Sequence, residues 1–146
     1  NKKLLSLTVD ALKTGSWKEQ GLPFYSWDIS YIKEFNIEKT EGTWEIDLGM
    51  WNGTLAEVYV NGNPASAIAF PPYNSDISGL IRPGMNKIEI RVIGSLKNLL
   101  GPHHNNIRPG LASPGSWRNV KKYPSGKEYQ MIDYGLFDDF VLINGK

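Results

Sequence analysis

The chain has 146 residues, 40% hydrophobic, 12% aromatic and 21% charged, enough for one compact domain with a buried core. Sixteen Lys and Arg against fifteen Asp and Glu leave a formal charge of +1, too small a cationic excess to neutralise a phosphate backbone, so no nucleic acid partner is expected. Cysteine is absent, which removes disulfide scaffolds, cysteine-ligated zinc and thiolate catalysis without fixing the compartment; no run approaches the ~20 apolar residues of a membrane helix, so no membrane partner is expected either.

Asn1-Lys2-Lys3 opens the chain without an initiator Met or a signal-peptide apolar run, and the sequence reads as a single domain over 1–146 cut from something longer. Leu5-Ser6-Leu7-Thr8-Val9 alternates apolar and polar residues, the signature of a half-buried strand. Residues 15–30 are rich in Gly, Pro and aromatics and break that rhythm. Alternation resumes in Tyr31 to Ile37, with Phe35 and Ile37 inward, and in Trp44-Glu45-Ile46-Asp47-Leu48, where Trp44 reads as core. Asn52-Gly53-Thr54 matches a glycosylation acceptor but has the composition of a turn. The runs Leu55 to Val60 and Ala65 to Phe70 flank Asn61-Gly62, a hairpin signal because both residues tolerate positive φ. Arg82-Pro83-Gly84-Met85 predicts a second turn, leading into Lys87 to Val92 with Ile88, Ile90 and Val92 inward and Lys87, Glu89 and Arg91 in water. Residues 95–129 are expected to form a long irregular loop, with one helical turn predicted at Ser95 to Leu100 and stopped by Gly101-Pro102. The last strand spans Phe137 to Ile143. Short strands separated by turns, with no helical pattern between them, predict an all-β, antiparallel two-layer sandwich.

Catalytic chemistry finds little support in this pattern. Asp138-Asp139 cannot flank one glycosidic bond, because neighbours on a strand point to opposite faces; one is expected in solvent and the other at a sheet edge or on a backbone amide. Asp28, Asp76 and Asp133 sit where Asp usually completes a turn. His103-His104 is the only histidine pair, a poor metal spacing that suits hydrogen bonding in the loop. No nucleophile elbow and no phosphate-cradling glycine motif occurs, and no metal or cofactor is expected. Aromatics remain. Sugar rings expose apolar C–H faces that stack on Trp and Tyr, and Trp17, Tyr25, Trp27, Tyr73, Trp117 and Tyr123, joined by His103 and His104, are the candidate ligand-binding residues, with Trp51 in a further turn. For each of them, packing in a sandwich core or corner is the competing reading.

From Trp44 onward an ordered series of motifs becomes recognisable. Ile46-Asp47-Leu48-Gly49 leads to the strand and hairpin Gly53 to Gly62, then to Phe70-Pro71-Pro72-Tyr73, Asp76-Ile77-Ser78 and Pro83 to Val92, with Leu22 to Ser26, Tyr31 and Glu34-Phe35 upstream. The series resembles the galactose-binding-like jelly-roll domain of family 2 glycoside hydrolases and related bacterial glycosidases such as α-L-rhamnosidases. Gly101 to His104 and Tyr134-Gly135-Leu136 resemble segments of accessory domains in such enzymes. Trp27 stands where this family commonly has a small residue, and it either fills a gap in the core or adds a stacking surface. The resemblance implies a jelly-roll sandwich that carries no catalytic carboxylates of its own, since those lie in a separate domain of the parent enzyme. Its implied partners are carbohydrate and the catalytic domain of the same parent chain, in a secreted, cell-surface or periplasmic enzyme. The rival readings are a purely structural sandwich, which predicts an exposed apolar patch, and a stand-alone enzyme, which requires two carboxyls about 5 to 10 Å apart in a cleft.

Overall fold

The computed structural model describes residues 11–99, 125 and 129–145, and contains nine strands and no helix among them. In chain order they are β1 (Asp28–Ile37), β2 (Thr43–Asp47), β3 (Trp51–Asn52), β4 (Leu55–Val60), β5 (Asn63–Ile68), β6 (Asn74–Asp76), β7 (Gly84–Ile93), β8 (Gly135–Leu136) and β9 (Val141–Gly145). All pairings are antiparallel. One sheet has the order β1-β7-β4-β5, a second β6-β2-β9, and β3 pairs with β8 as a short two-stranded ribbon.

The two-residue period decides which face each strand buries. Ile88, Ile90 and Val92 of β7 are buried, flanked by Ala56, Val58 and Val60 of β4 and by Tyr31 and Ile37 of β1. Ile46, Leu48, Ile77, Leu136 and Phe140 close the core from the other layer, so the expected antiparallel sandwich is what forms. Trp44 packs against this cluster but stays partly accessible.

The hairpin between β4 and β5 turns at Asn61 and Gly62, with φ of 53° and 83°, the two successive positive values that such a two-residue turn requires. Gly84 takes a φ of 92° in the second predicted turn. Asn86, fully buried, holds that turn to the hairpin. Its Oδ1 accepts from Arg82 N–H (3.0 Å) and Asn61 Nδ2 (2.9 Å), and its Nδ2 donates to the carbonyls of Arg82 (2.6 Å) and Gly84 (3.0 Å). Every donor and acceptor of this side chain is thereby used.

Three boundaries differ from expectation. The run Ala65 to Phe70 contributes strand only to Ile68, and Phe70 stands 81% exposed in the loop beyond it. Phe137 to Ile143 is not one strand: Phe137 and Asp138 both donate their N–H groups to Met50 O, so the chain bends between β8 and β9 before pairing with β2 from Val141 onward. Trp51, read as a turn residue, pairs with Leu136 in β3 and β8. Ser95 to Leu100 begins as expected, with a turn closed by Leu99 N–H on Leu96 O at 3.1 Å. The predicted strand at Leu5 to Val9 and most of the 95–129 loop lie outside the described residues.

Candidate functional site

Strand register gathers the irregular segments at one end of the sandwich. Asp28 at the start of β1 and Leu55 at the start of β4 both oppose Ile93 at the end of β7, and Ile68 at the end of β5 opposes Ala56. The loops at 15–27, 69–73 and 94–99 therefore leave from the same end. Leu48 N–H donates to Tyr73 O at 3.0 Å and Asn52 Nδ2 to Asp133 O at 2.8 Å, tying the second layer into the same loop cluster. Gly94 lets the loops approach closely: a Cβ there would lie 3.1 Å from the Trp17 ring and 3.3 Å from Trp27 O.

Four of the proposed aromatic contacts fall on described residues, and the structure separates them. Trp17 is 1% exposed, donates from Nε1 to Tyr31 Oη at 2.7 Å, and meets Tyr25 edge-on at 5.9 Å. It is a core residue, not a ligand contact, because burial leaves no ring face for a sugar. Tyr25 is half-buried against it, with its hydroxyl donating to Asp28 O at 2.8 Å; burial, and next the nearby Asp28 charge, push its pKa up. Tyr73 is 39% exposed and packs edge-on to Trp51 at 5.6 Å. Trp27 alone presents most of its ring to solvent, 73% exposed. It does not fill a core gap. His103, His104, Trp117 and Tyr123 lie outside the described residues.

Beside Trp27 lies a shallow hollow of about 320 Å³ lined also by Asp28, Glu57, Arg91 and Ile93. Cross-strand pairing builds its polar wall. Glu57 of β4 stands opposite Arg91 of β7, and Ser30 of β1 faces Arg91 from the other side. The guanidinium is ringed by three carboxylates: Nε is 3.3 Å from Asp28 Oδ2, Nη1 3.6 Å from Glu57 Oε2, and Nη2 3.3 Å from Glu89 Oε1. It also stacks 4.8 Å above the Tyr59 ring. The Nε contact is close enough for charge attraction but lacks hydrogen-bond alignment, which leaves that buried donor without an aligned acceptor.

The electrostatics follow from these contacts. Ser30 Oγ donates to Glu89 at 2.6 Å and, with Arg91, holds its carboxyl below the usual carboxylate range despite partial burial. Tyr59 donates to Glu57 at 3.0 Å, and that hydrogen bond, then burial, raises the phenol. Burial works against the charge on Arg91, yet its bond to Glu89 and the charges around it leave its pKa raised. The two carboxylates that line the hollow, Asp28 and Glu57, against its one guanidinium give the wall a formal surplus of one negative charge. Chemically, the hollow offers an apolar indole face, fixed acceptors for hydroxyl groups, and a guanidinium already committed to its neighbours.

Sequence reasoning singled out Trp27 and placed Glu89 and Arg91 in water, but it read Asp28 as a turn residue and passed over Glu57. Nothing local in the sequence says that β4 lies next to β7. Asp76 does complete its own turn, accepting from Ser78 N–H at 2.8 Å and from its hydroxyl at 2.6 Å. Asp133 instead bridges loops, accepting from Ser16 Oγ at 2.7 Å and pairing with Lys18 at 3.0 Å. Asp138 and Asp139 part as expected, the first accepting from Met50 N–H at 3.0 Å and the second exposed beside Lys33 at 3.2 Å.

No protein-family profile matches the chain. Over 96 residues it is 32% identical to a protein of Formosa agariphila named "Putative beta-glucuronidase", a match that covers 62% of this chain and 8% of that protein. The matched stretch is thus a small part of a much longer protein named as a glycosidase. The chain's fold is shared with a rhamnosidase from Novosphingobium sp. PP1Y, at a TM-score of 0.59 and 24% identity over 82% of this chain and 11% of that one. A GH2 beta-galacturonidase from Eisenbergiella tayi is also similar, at a TM-score of 0.49 and 23% identity over 70% of this chain and 17% of that one. The chain thus spans less than a fifth of the length of each of these proteins, and its sequence match to one glycosidase-named protein and its shared fold with a rhamnosidase agree with the resemblance drawn from the ordered motifs.

Proposed function

We propose that this sandwich is a non-catalytic accessory module of a larger polysaccharide-degrading glycoside hydrolase, and that it contacts carbohydrate through loop aromatics, with Trp27 as the principal platform. The observation that carries the reading is the contrast among the aromatics at the loop end. Trp17 and Tyr25 are spent on packing, whereas the Trp27 ring stands in solvent beside a polar hollow of about 320 Å³. An exposed Trp with oriented polar neighbours matches what a sugar needs, a C–H face to stack and hydroxyls to satisfy. On this reading the parent enzyme supplies the catalytic carboxylates from another domain and works where polysaccharide is found, outside the cell, on its surface or in the periplasm.

Calorimetric titration of the chain against a glycan panel, with Trp27→Ala beside it, tests the contact. At least one oligosaccharide is expected to bind, and the substitution to abolish that binding while leaving the fold unchanged. Failure of every glycan to bind, or binding indifferent to Trp27, overturns the sugar contact.

A second reading has its own support. Met50, Phe70 and Tyr73 are exposed on neighbouring loops of the same end, with Trp51 half-buried beside Tyr73. Large apolar side chains grouped in this way suit packing against an adjoining domain. In that case the module's role is structural, and its glycan titrations are flat.

A further inference from the structure

The wall of the Trp27 hollow carries information about which sugars it would accept. A site that recognises uronates or sulfated sugars needs a cation free to meet the anion, ordinarily an Arg fork presented to it. Arg91, the cation lining this hollow, has all three nitrogens within 3.6 Å of carboxylates from Asp28, Glu57 and Glu89 and its face on Tyr59. An incoming carboxylate would meet two lining carboxylates, Asp28 and Glu57, before it found an unshared positive charge. Hydroxyl groups face no such penalty, since they donate to the oxygens of the lining carboxylates Asp28 and Glu57.

Resting on the sugar-contact reading above, we infer that the Trp27 hollow favours an uncharged sugar ring over a uronate, so that the module would hold neutral segments of a polysaccharide. The formal surplus of one negative charge on the lining sets the scale. At about 7 Å in water, one like charge costs the anionic ligand roughly threefold in affinity at low salt. Salt screens this repulsion: the Debye length falls from about 20 Å at ~0.02 M to about 4 Å at ~0.5 M.

The test uses the 146-residue chain and matched pairs of oligosaccharides that differ at the carboxyl group alone: galacturonate oligomers with their methyl esters, and glucuronate-bearing xylan oligomers with their carboxyl-reduced forms. Within every pair that binds, the neutral member is expected to bind roughly threefold more tightly at low salt, and raising the salt to narrow the gap in the unaltered chain. Glu57→Gln is expected to narrow it further. Equal or tighter binding of the uronate, or a preference insensitive to both salt and Glu57→Gln, overturns this inference while leaving the sugar contact standing. Absence of binding by every pair removes both.

Discussion

Replacing Asn86 by Leu keeps the side-chain volume near that of the amide and removes all four of its hydrogen bonds. Two of these lock the Arg82–Gly84 turn through the carbonyls of Arg82 and Gly84, one receives the Arg82 N–H, and one joins the turn to the Asn61 hairpin. A net hydrogen bond contributes about 1 kcal/mol, and a buried group left unpaired costs about 1 to 3 kcal/mol. Arg82 and Gly84 lie in an exposed turn where water can reach the freed groups, which trims the total. The expected loss is about 2 to 4 kcal/mol, or a fall in Tm of roughly 5 to 15 °C for a domain of this size. Urea unfolding followed by tryptophan fluorescence measures it, and the slope of the transition is expected to stay unchanged because the exposed surface is the same. Asn61→Ala removes one of the same bonds, so the double variant is expected to lose less than the sum of the two single losses. A loss below about 1 kcal/mol for Asn86→Leu, or strict additivity with Asn61→Ala, would refute the reasoning that this buried amide holds the two turns together.

Trp17→Phe removes the indole N–H that reaches Tyr31 Oη and leaves a void in the core; a loss of about 2 to 4 kcal/mol is expected in the same unfolding assay. Gly135, at a φ of 146°, has no room for a Cβ against Gly15 O, and Gly15 N–H donates to Leu136 O at 2.6 Å. Gly135→Ala is therefore expected to cost about 3 kcal/mol or more by forcing the 15–17 segment off β8, with enhanced proteolysis near residue 15 as the readout. Burial opposes ionisation of Asp133, but its bonds from Ser16 and Lys18 prevail and hold its carboxyl below the ordinary range. Its contribution is thus present at neutral pH and lost as pH falls through and below the ordinary carboxylate range. Asp133→Asn is expected to be less stable at neutral pH and to show a shallower decline on acidification; parallel pH profiles for the two proteins would contradict that assignment.

Much of the fold was legible in local chemistry. Period-two alternation located β2 and β7 because a half-buried strand must send alternate side chains to opposite faces, and Asn61-Gly62 located the hairpin that follows β4 because successive positive φ values exclude most residues. The ordered motifs also pointed to the glycosidases with which the chain proves to share sequence and fold. The end of the chain was less legible. Phe137 to Ile143 looks like a strand, yet the acceptor on Met50 O captures two of its N–H groups, and only the partner's position reveals that bend.

The site shows where sequence stops. Composition and alternation settled that strands form, that Ile88, Ile90 and Val92 face inward and that Glu89 and Arg91 point away from the core, because these depend on a residue and its immediate neighbours. Whether Trp17 or Trp27 is the buried ring, and which carboxylates surround Arg91, was decided by the pairing of β1 and β4 on either side of β7. Both tryptophans sit in the same Gly- and Pro-broken segment with no period to distinguish them. Contacts between strands far apart in the chain depend on register and layer order, which no local pattern encodes.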